Sequence, residues 1–329
     1  MTHIFRGDSP QQLDQAADLL RAGGVVAFPT ETVYGLGADG LNSAAVEKIF
    51  LAKGRPPDNP VILHVASFAE ALALWDATDT QIQLAGNLAQ RFWPGPLTLV
   101  LKAASHIPSV VTAGLPTVAV RQPDHPLALA LIRRVGRPLA APSANLSGRP
   151  SPTSAEHVLR TLSNRIDGVV DGGPTAVGLE STVVDLTCTP PRILRPGAIS
   201  AGQLAERLGF PCDQTPQPEG GSPGLRHRHY QPRNLEVRLV NEATLAGQWQ
   251  GDAAILCRQT QAGRLGPRAA PLEALPDTAE EFAVQLYAAL YRLEQAGASR
   301  LLIARVPSDP AWTAVADRLQ RAAGAKGSE

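Results

Sequence analysis

The chain has 329 residues, 44% hydrophobic and 18% charged, with 30 Lys and Arg balancing 30 Asp and Glu. That length points to two domains, and a formal net charge of zero argues against non-specific nucleic-acid binding through phosphates, which takes a basic excess. Cys188, Cys212 and Cys257 are far apart without zinc or disulfide spacing, the N-terminus lacks a signal peptide, and no apolar run is long enough for a membrane span, so a reducing, cytoplasmic setting is expected.

Ser9 followed by Pro10 opens a first helix with helical apolar spacing, and Gly23-Gly24 stops it. VVAFPT is a buried strand. Asn42 caps a second helix, SAAVEKIFLAK, which ends at Gly54. VILHV is a strand, helical stretches follow around 68–76 and 81–93, and LTLVLKA and TVAVRQ are strands. A helix is expected over 125–135. LAAPSAN is a strand running into a loop, and GVVDGG, STVVDL and RILRPG are short strands joined by turns. Several strands lie too close together for crossover helices. The expected fold class is therefore α/β with a twisted, mixed sheet and flanking helices, not a doubly wound parallel sheet.

After Phe210 the chain becomes rich in Pro, Gly and polar residues. The expected division is a first domain over 1–209, a linker over 210–234 and a small Rossmann-like α/β domain over 235–329. In that last part LEVRLV, AAILCR and RLLIARV are strands, Asp277 with Glu280 starts a long helix, and a final helix covers 312–322.

Chemistry-bearing residues cluster in six places. PTETVYGLGAD sets Thr30, Glu31, Thr32 and Tyr34 just after a buried strand, either around a small polar ligand or in an ordinary turn. Lys53 and Arg55 flank Gly54 and suit a polyphosphate, or merely offset the helix dipole. In the same AKGRPPDNPVILHV segment, His64 shares a sheet face with Ile62 and is a satisfied core residue or a ligand contact. Thr117 and Arg121 lie on one side of a strand. A buried Arg121 needs an anion, supplied by a bound carboxylate or phosphate or by a protein salt bridge. Ser143, Asn145, Ser147 and Thr153 form a donor-rich loop that cradles a ligand or satisfies its own backbone. GLESTVVD brings Ser181, and RILRPG brings Arg195. No Walker A, GxGxxG, GxSxG, HExxH or paired-Cys pattern occurs. From the residues alone the site suits an anionic ligand.

PTETVYGLG, KGRPPDNPVILHV, TVAVRQP, APSANLSG, GLESTVVD and RILRPG, in this order, resemble the YrdC family over residues 15–200, and SPGLRHRHYQP with the extra α/β part resembles its long, two-domain form. The resemblance implies the synthesis of threonylcarbamoyl-AMP from L-threonine, bicarbonate and ATP, with magnesium accompanying the nucleotide. Its product would pass to the tRNA threonylcarbamoyl-transfer machinery, with at most a weak tRNA contact and no membrane. It implies that Thr32, His64, Arg121, Ser143 and Ser181 hold threonine. Lys53, Arg55, Asn59, Thr117, Asn145, Thr153, Arg195 and Tyr230 would surround ATP, Lys53 and Arg55 would matter most for turnover, and no protein metal site is expected. Leu225 and Arg226 stand where the family leads one to expect Met and Lys. Two other functions remain to be weighed. One is an RNA-binding module with a basic concave pocket. The other is a carbamoyl-transfer enzyme, although the acylphosphatase-like and zinc-finger segments of the related hydrogenase-maturation proteins are missing.

Overall fold

The structure is a computed structural model that describes residues 1–215, 230–242, 245, 253–265 and 271–324. The described residues form two compact units, the first made of 1–147, 152–176 and 180–215, the second of 148–151, 177–179 and those from 230 onward.

The first unit is built on a ten-stranded sheet. In chain order its strands are β1 (His3–Arg6), β2 (Val26–Phe28), β3 (Gly35–Asp39), β4 (Ile62–His64), β5 (Leu97–Lys102), β6 (Thr117–Arg121), β7 (Leu139–Ala140), β8 (Gly168–Asp171), β9 (Thr182–Asp185) and β10 (Arg192–Arg195). Across the sheet they run β1-β8-β2-β3-β7-β4-β6-β5-β9-β10. β4–β6 and β5–β9 are parallel, whereas β2–β3, β3–β7, β4–β7, β5–β6 and β9–β10 are antiparallel, so the sheet is mixed as expected.

Period-two alternation sorts the side chains onto two faces. One face presents Ala27, Leu36, Ala38, Leu63, Leu99, Val118, Val120 and Val184 to the main core. Helices Ser43–Lys53, Asp79–Phe92, Ala155–Leu162 and Ala201–Leu208 pack there through Ile49, Leu88, Val158 and Leu204. Each such fully buried aliphatic side chain contributes about 1.5–3 kcal/mol. The opposite face is divided. Over β2, β7 and β8, helices Pro10–Arg21 and Pro126–Val135 cover Val26, Phe28, Leu139, Ala141 and Val170. Over β4, β6, β5 and β9 there is instead a small apolar cluster, Ile62, Val100, Ala119 and Val183, with Leu194 against it. On the same face, by alternation, stand His64, Thr98, Thr117 and Arg121. The departure from apolar patterning on this half-face marks the candidate site.

Caps behave as expected at Ser9, Asn42 and Gly54, the last in the left-handed region at φ 58°. Five elements of the first unit are not among those expected from the sequence: β1, β3 and the helices Ser109–Thr112, Ala155–Leu162 and Ala201–Leu208. β1 buries only Phe5, so it carries no alternation signal. β3 lies in the segment expected to surround a small polar ligand or to form an ordinary turn, and Gly37 is required there: a Cβ would come 2.7 Å from the Phe28 ring. Helices Ala155–Leu162 and Ala201–Leu208 start at caps Ser154 and Ser200, whose side chains accept from His157 N and Gln203 N.

The linker begins later than residue 210. Cys212 is buried in the main core, and Asp213 accepts from Arg192 Nε at 2.6 Å while its backbone binds both Pro191 and Ile193. Residues 216–229, which include most of SPGLRHRHYQP with Leu225 and Arg226, lie outside the described residues.

The second unit carries a four-stranded sheet, β11 (Glu236–Val240), β12 (Ala253–Arg258), β13 (Leu272–Leu275) and β14 (Arg300–Ala304), all parallel in the order β11-β14-β12-β13. Its long helix, Ala279–Gln295, is capped by Thr278 accepting from Glu281 N, one residue later than the expected Asp277–Glu280 start. The short segments 148–151 and 177–179 pack in this unit, where Tyr291 Oη donates to Pro150 O at 2.9 Å.

Candidate functional site

The loop after β2 meets the end of β6. Thr30 Oγ1 donates to Val33 O at 2.7 Å and lies 2.8 Å from Thr32 Oγ1, which fixes the turn. Arg121, the last residue of β6, donates from Nη1 to Thr32 Oγ1 at 2.9 Å and from Nε to Gly95 O at 3.1 Å. Its Nη2 lies 2.6 Å from Glu31 Oε1, with both side chains almost fully buried. Of the two partners left open for Arg121, the structure shows the salt bridge. That bridge is close but poorly aligned: Arg121 Nη2 and both Glu31 oxygens are buried without a hydrogen bond.

His64 pairs with Arg121 in register on the parallel neighbour β4 and meets the Phe28 ring edge-on, centroids 6.2 Å apart. Burial, helped by the Arg121 charge, pushes its pKa down to about 3, so the imidazole is neutral at physiological pH. Its Nδ1 is buried without a hydrogen-bond partner. This is not the satisfied core histidine that an apolar strand leads one to expect.

Next along the sheet, Thr98 Oγ1 and Ser181 Oγ are 2.7 Å apart. Arg195 donates from Nη2 to Ser181 O at 2.9 Å and Oγ at 3.1 Å, and from Nε to Ser181 O at 3.1 Å. Ser181 thus stands between a hydroxyl and a buried guanidinium.

A second cluster forms where helix Ser43–Lys53 ends. Lys53 Nζ donates to Ser143 O at 2.5 Å and Asn145 O at 2.6 Å, and Ser147 N donates back to Lys53 O at 2.9 Å. The ammonium is 2% exposed and makes no ion pair among the described residues. Burial, with the Arg55 charge second, holds its pKa well below the ordinary lysine range. Its bonds reach carbonyls of another loop rather than its own helix end, so dipole compensation does not account for it. Arg55 donates from Nε to Asn59 O at 3.1 Å and from Nη2 to Pro60 O at 2.8 Å, a frame that holds the loop leading into β4. Ser143 is bridged through its backbone to Gly35, Asn145 Nδ2 donates to Leu146 O at 2.8 Å, and Thr153 Oγ1 lies 3.3 Å from His157 Nδ1.

One expected residue of the first unit stands apart from these groups. Thr117 is at the opposite end of β6 from Arg121, about 13 Å away along the strand, and lines a surface pocket with Asp76, Gln81 and Lys102. Parallel pairing does set it at the same end of the strands as Asn59 and Pro60, with Ala119 and the small apolar cluster between the two ends. Tyr230 belongs to the second unit, with φ 66°, its ring stacked on Tyr287 at 5.5 Å and under the Arg318 guanidinium at 5.6 Å. Sequence reasoning had not singled out Thr98 or given Glu31 a role. Thr98 was legible as the one hydroxyl interrupting LTLVL; Glu31 was not, because its partner lies 90 positions away.

A family model described as telomere recombination matches residues 18–197, and a threonylcarbamoyl-AMP synthase C-terminal domain model matches residues 199–324. The chain belongs to the Sua5/YciO/YrdC family. Among its relatives in that family, the threonylcarbamoyl-AMP synthase of Pyrococcus abyssi is 42% identical over 94% of this chain and 93% of its own length. The Bacillus subtilis protein of the same name is 43% identical over 96% and 94%. The crystal structure of P. abyssi Sua5 complexed with L-threonine superposes with a TM-score of 0.88 at 39% identity, covering 98% of this chain and 97% of that one. Both parts of the two-domain Sua5 form are therefore present.

Proposed function

We infer that the chain is a threonylcarbamoyl-AMP synthase, condensing L-threonine, bicarbonate and ATP to threonylcarbamoyl-AMP and pyrophosphate. The observation that carries this beyond family membership is Lys53: a buried ammonium beside Arg55, held only by neutral carbonyls and without an ion pair among the described residues. Such a charge is stabilised by an anion brought from outside, and ATP phosphates fit.

The chemistry needs no protein nucleophile. The amine of threonine and bicarbonate give an N-carboxylate and water. The N-carboxylate then attacks the α-phosphorus, a phosphoryl–oxygen bond breaks and pyrophosphate leaves with the electron pair. The protein's task is to hold two anions in line and offset charge that builds on the phosphates. We assign Thr32, His64, Arg121, Ser143 and Ser181 to threonine. Lys53, Arg55, Asn59, Thr117, Asn145, Thr153, Arg195 and Tyr230 are assigned to ATP. Geometry supports Arg121 and Ser181 most and Thr117 least; the assignment of Tyr230 rests on resemblance. Magnesium enters with ATP as part of the substrate, since the nucleotide side offers guanidinium, ammonium, amide and hydroxyl groups, which suit phosphate oxygens. The product is consumed by tRNA threonylcarbamoyl transfer in the cytoplasm. The neutral charge disfavours the RNA-binding alternative. Mass spectrometry of the reaction with isotopically labelled bicarbonate tests the inference. One labelled carbon appears in a threonine–AMP adduct if it is right, and AMP alone without label rejects it.

A further inference from the structure

Glu31 is 7% exposed, and its two oxygens are buried without a hydrogen bond although Arg121 Nη2 stands 2.6 Å from one of them. Arg121 spends its other donors on Gly95 O and Thr32 Oγ1. The second titratable neighbour, His125 at the start of helix Pro126–Val135, is held below its ordinary pKa by burial and so brings no cation. A carboxylate has about four acceptor sites, and here they lie in a desolvated pocket with one misaligned cation. Burial of that kind is unfavourable unless a further charged donor arrives.

We propose that Glu31 receives the α-ammonium of the amino-acid substrate while Arg121 receives its carboxylate, so that the buried pair Glu31–Arg121 recognises a zwitterion. This rests on the synthase reading above. An α-amino acid carries its two charges on one carbon, close enough to meet two side chains already in contact. The arriving carboxylate takes over Arg121 Nη2, and the ammonium supplies aligned donors to Glu31. Once the nitrogen bears a carboxylate it offers Glu31 no cation and the two anions repel. The attraction is thus confined to the substrate before carboxylation.

The test compares calorimetric titrations of L-threonine and of 3-hydroxybutyrate, which keeps the hydroxyl and carboxylate but lacks the amine, on the full chain and on Glu31→Gln. Wild type should favour threonine by roughly 10- to 100-fold, the range of a charge-assisted hydrogen bond. Glu31→Gln should lose most of that factor for threonine while its affinity for 3-hydroxybutyrate stays within about threefold or rises, because Arg121 has lost its competitor. Equal weakening of both ligands would mean that Glu31 only orients Arg121, and unchanged threonine affinity would remove it from the pocket; either overturns the proposal alone. ATP affinity of the same variant reports that it is folded. If the variant does not fold, equal affinity of wild type for the two ligands overturns the proposal. A wild type that binds ATP but neither ligand contradicts the synthase reading itself.

Discussion

His64 links environment to a measurable proton affinity. Its free imidazole takes a proton near pH 6.5, whereas the folded one stays neutral down to about pH 3. Between those values the unfolded chain binds the extra proton, so the stability His64 allows is complete above about pH 6.5. It is lost at about 1.4 kcal/mol per unit as the pH falls toward 3. NMR of the imidazole should show no titration of His64 between pH 5 and 8; a midpoint near 6.5 would mean that the ring is solvated. Arg121 gives a second prediction at this scale. Arg121→Ala leaves Glu31 buried without its cation, which costs about 3–5 kcal/mol of stability, and it should weaken threonine binding far more than ATP binding. Equal loss for both ligands in calorimetry would show that threonine and nucleotide are assigned to the wrong groups. For Lys53→Ala, loss of a preorganised cation should lower kcat by about 100- to 1,000-fold with threonine affinity retained. A variant with near-normal turnover would separate Lys53 from the phosphates.

At the scale of elements, the site exists because two helices cover only half of one sheet face. β2 and β3 form the border. Gly37 lets β3 lie against the Phe28 ring, and Phe28 in turn meets His64 edge-on. Gly37→Ala would force a Cβ to 2.7 Å from that ring. The expected cost is about 1–3 kcal/mol of stability, together with weaker threonine binding as Phe28 shifts toward His64. Denaturant midpoints and threonine titrations of the variant check both, and an unchanged midpoint would show that the contact relaxes freely. Legibility in the sequence follows local chemistry. Ser9, Asn42 and Gly54 announced their helix ends because capping needs only neighbouring residues. The strands β5, β6 and β9 were legible as β-branched runs. β3 was not, since its glycines are explained only by a ring on another strand. The helix at 201–208 was missed beside a polar segment although Ser200 and Gln203 form its capping box.

At the scale of the molecule, both described units have their own sheets, and the residues proposed to hold threonine and ATP belong to the first, apart from Tyr230. Arg121 was identifiable from the sequence as a cation that needs an anion if buried, whereas Lys53 and Arg55 were open between a polyphosphate and the helix dipole; the structure buries all three. The ion pair to Glu31 and the Thr98–Ser181 contact were not identifiable, because both depend on how distant segments meet. Tyr230→Phe keeps the ring on Tyr287 and under Arg318 while deleting the hydroxyl. It should raise the KM for ATP with little change in melting temperature; an unaltered KM would withdraw the hydroxyl from the nucleotide site. The central claim is that one chain condenses L-threonine, bicarbonate and ATP in a single three-substrate reaction. Pyrophosphate release from ATP, measured with each co-substrate omitted in turn, tests it most directly. The account predicts release only when L-threonine and bicarbonate are both present, and release at the same rate without an amino acid, or with serine in place of threonine, would contradict it.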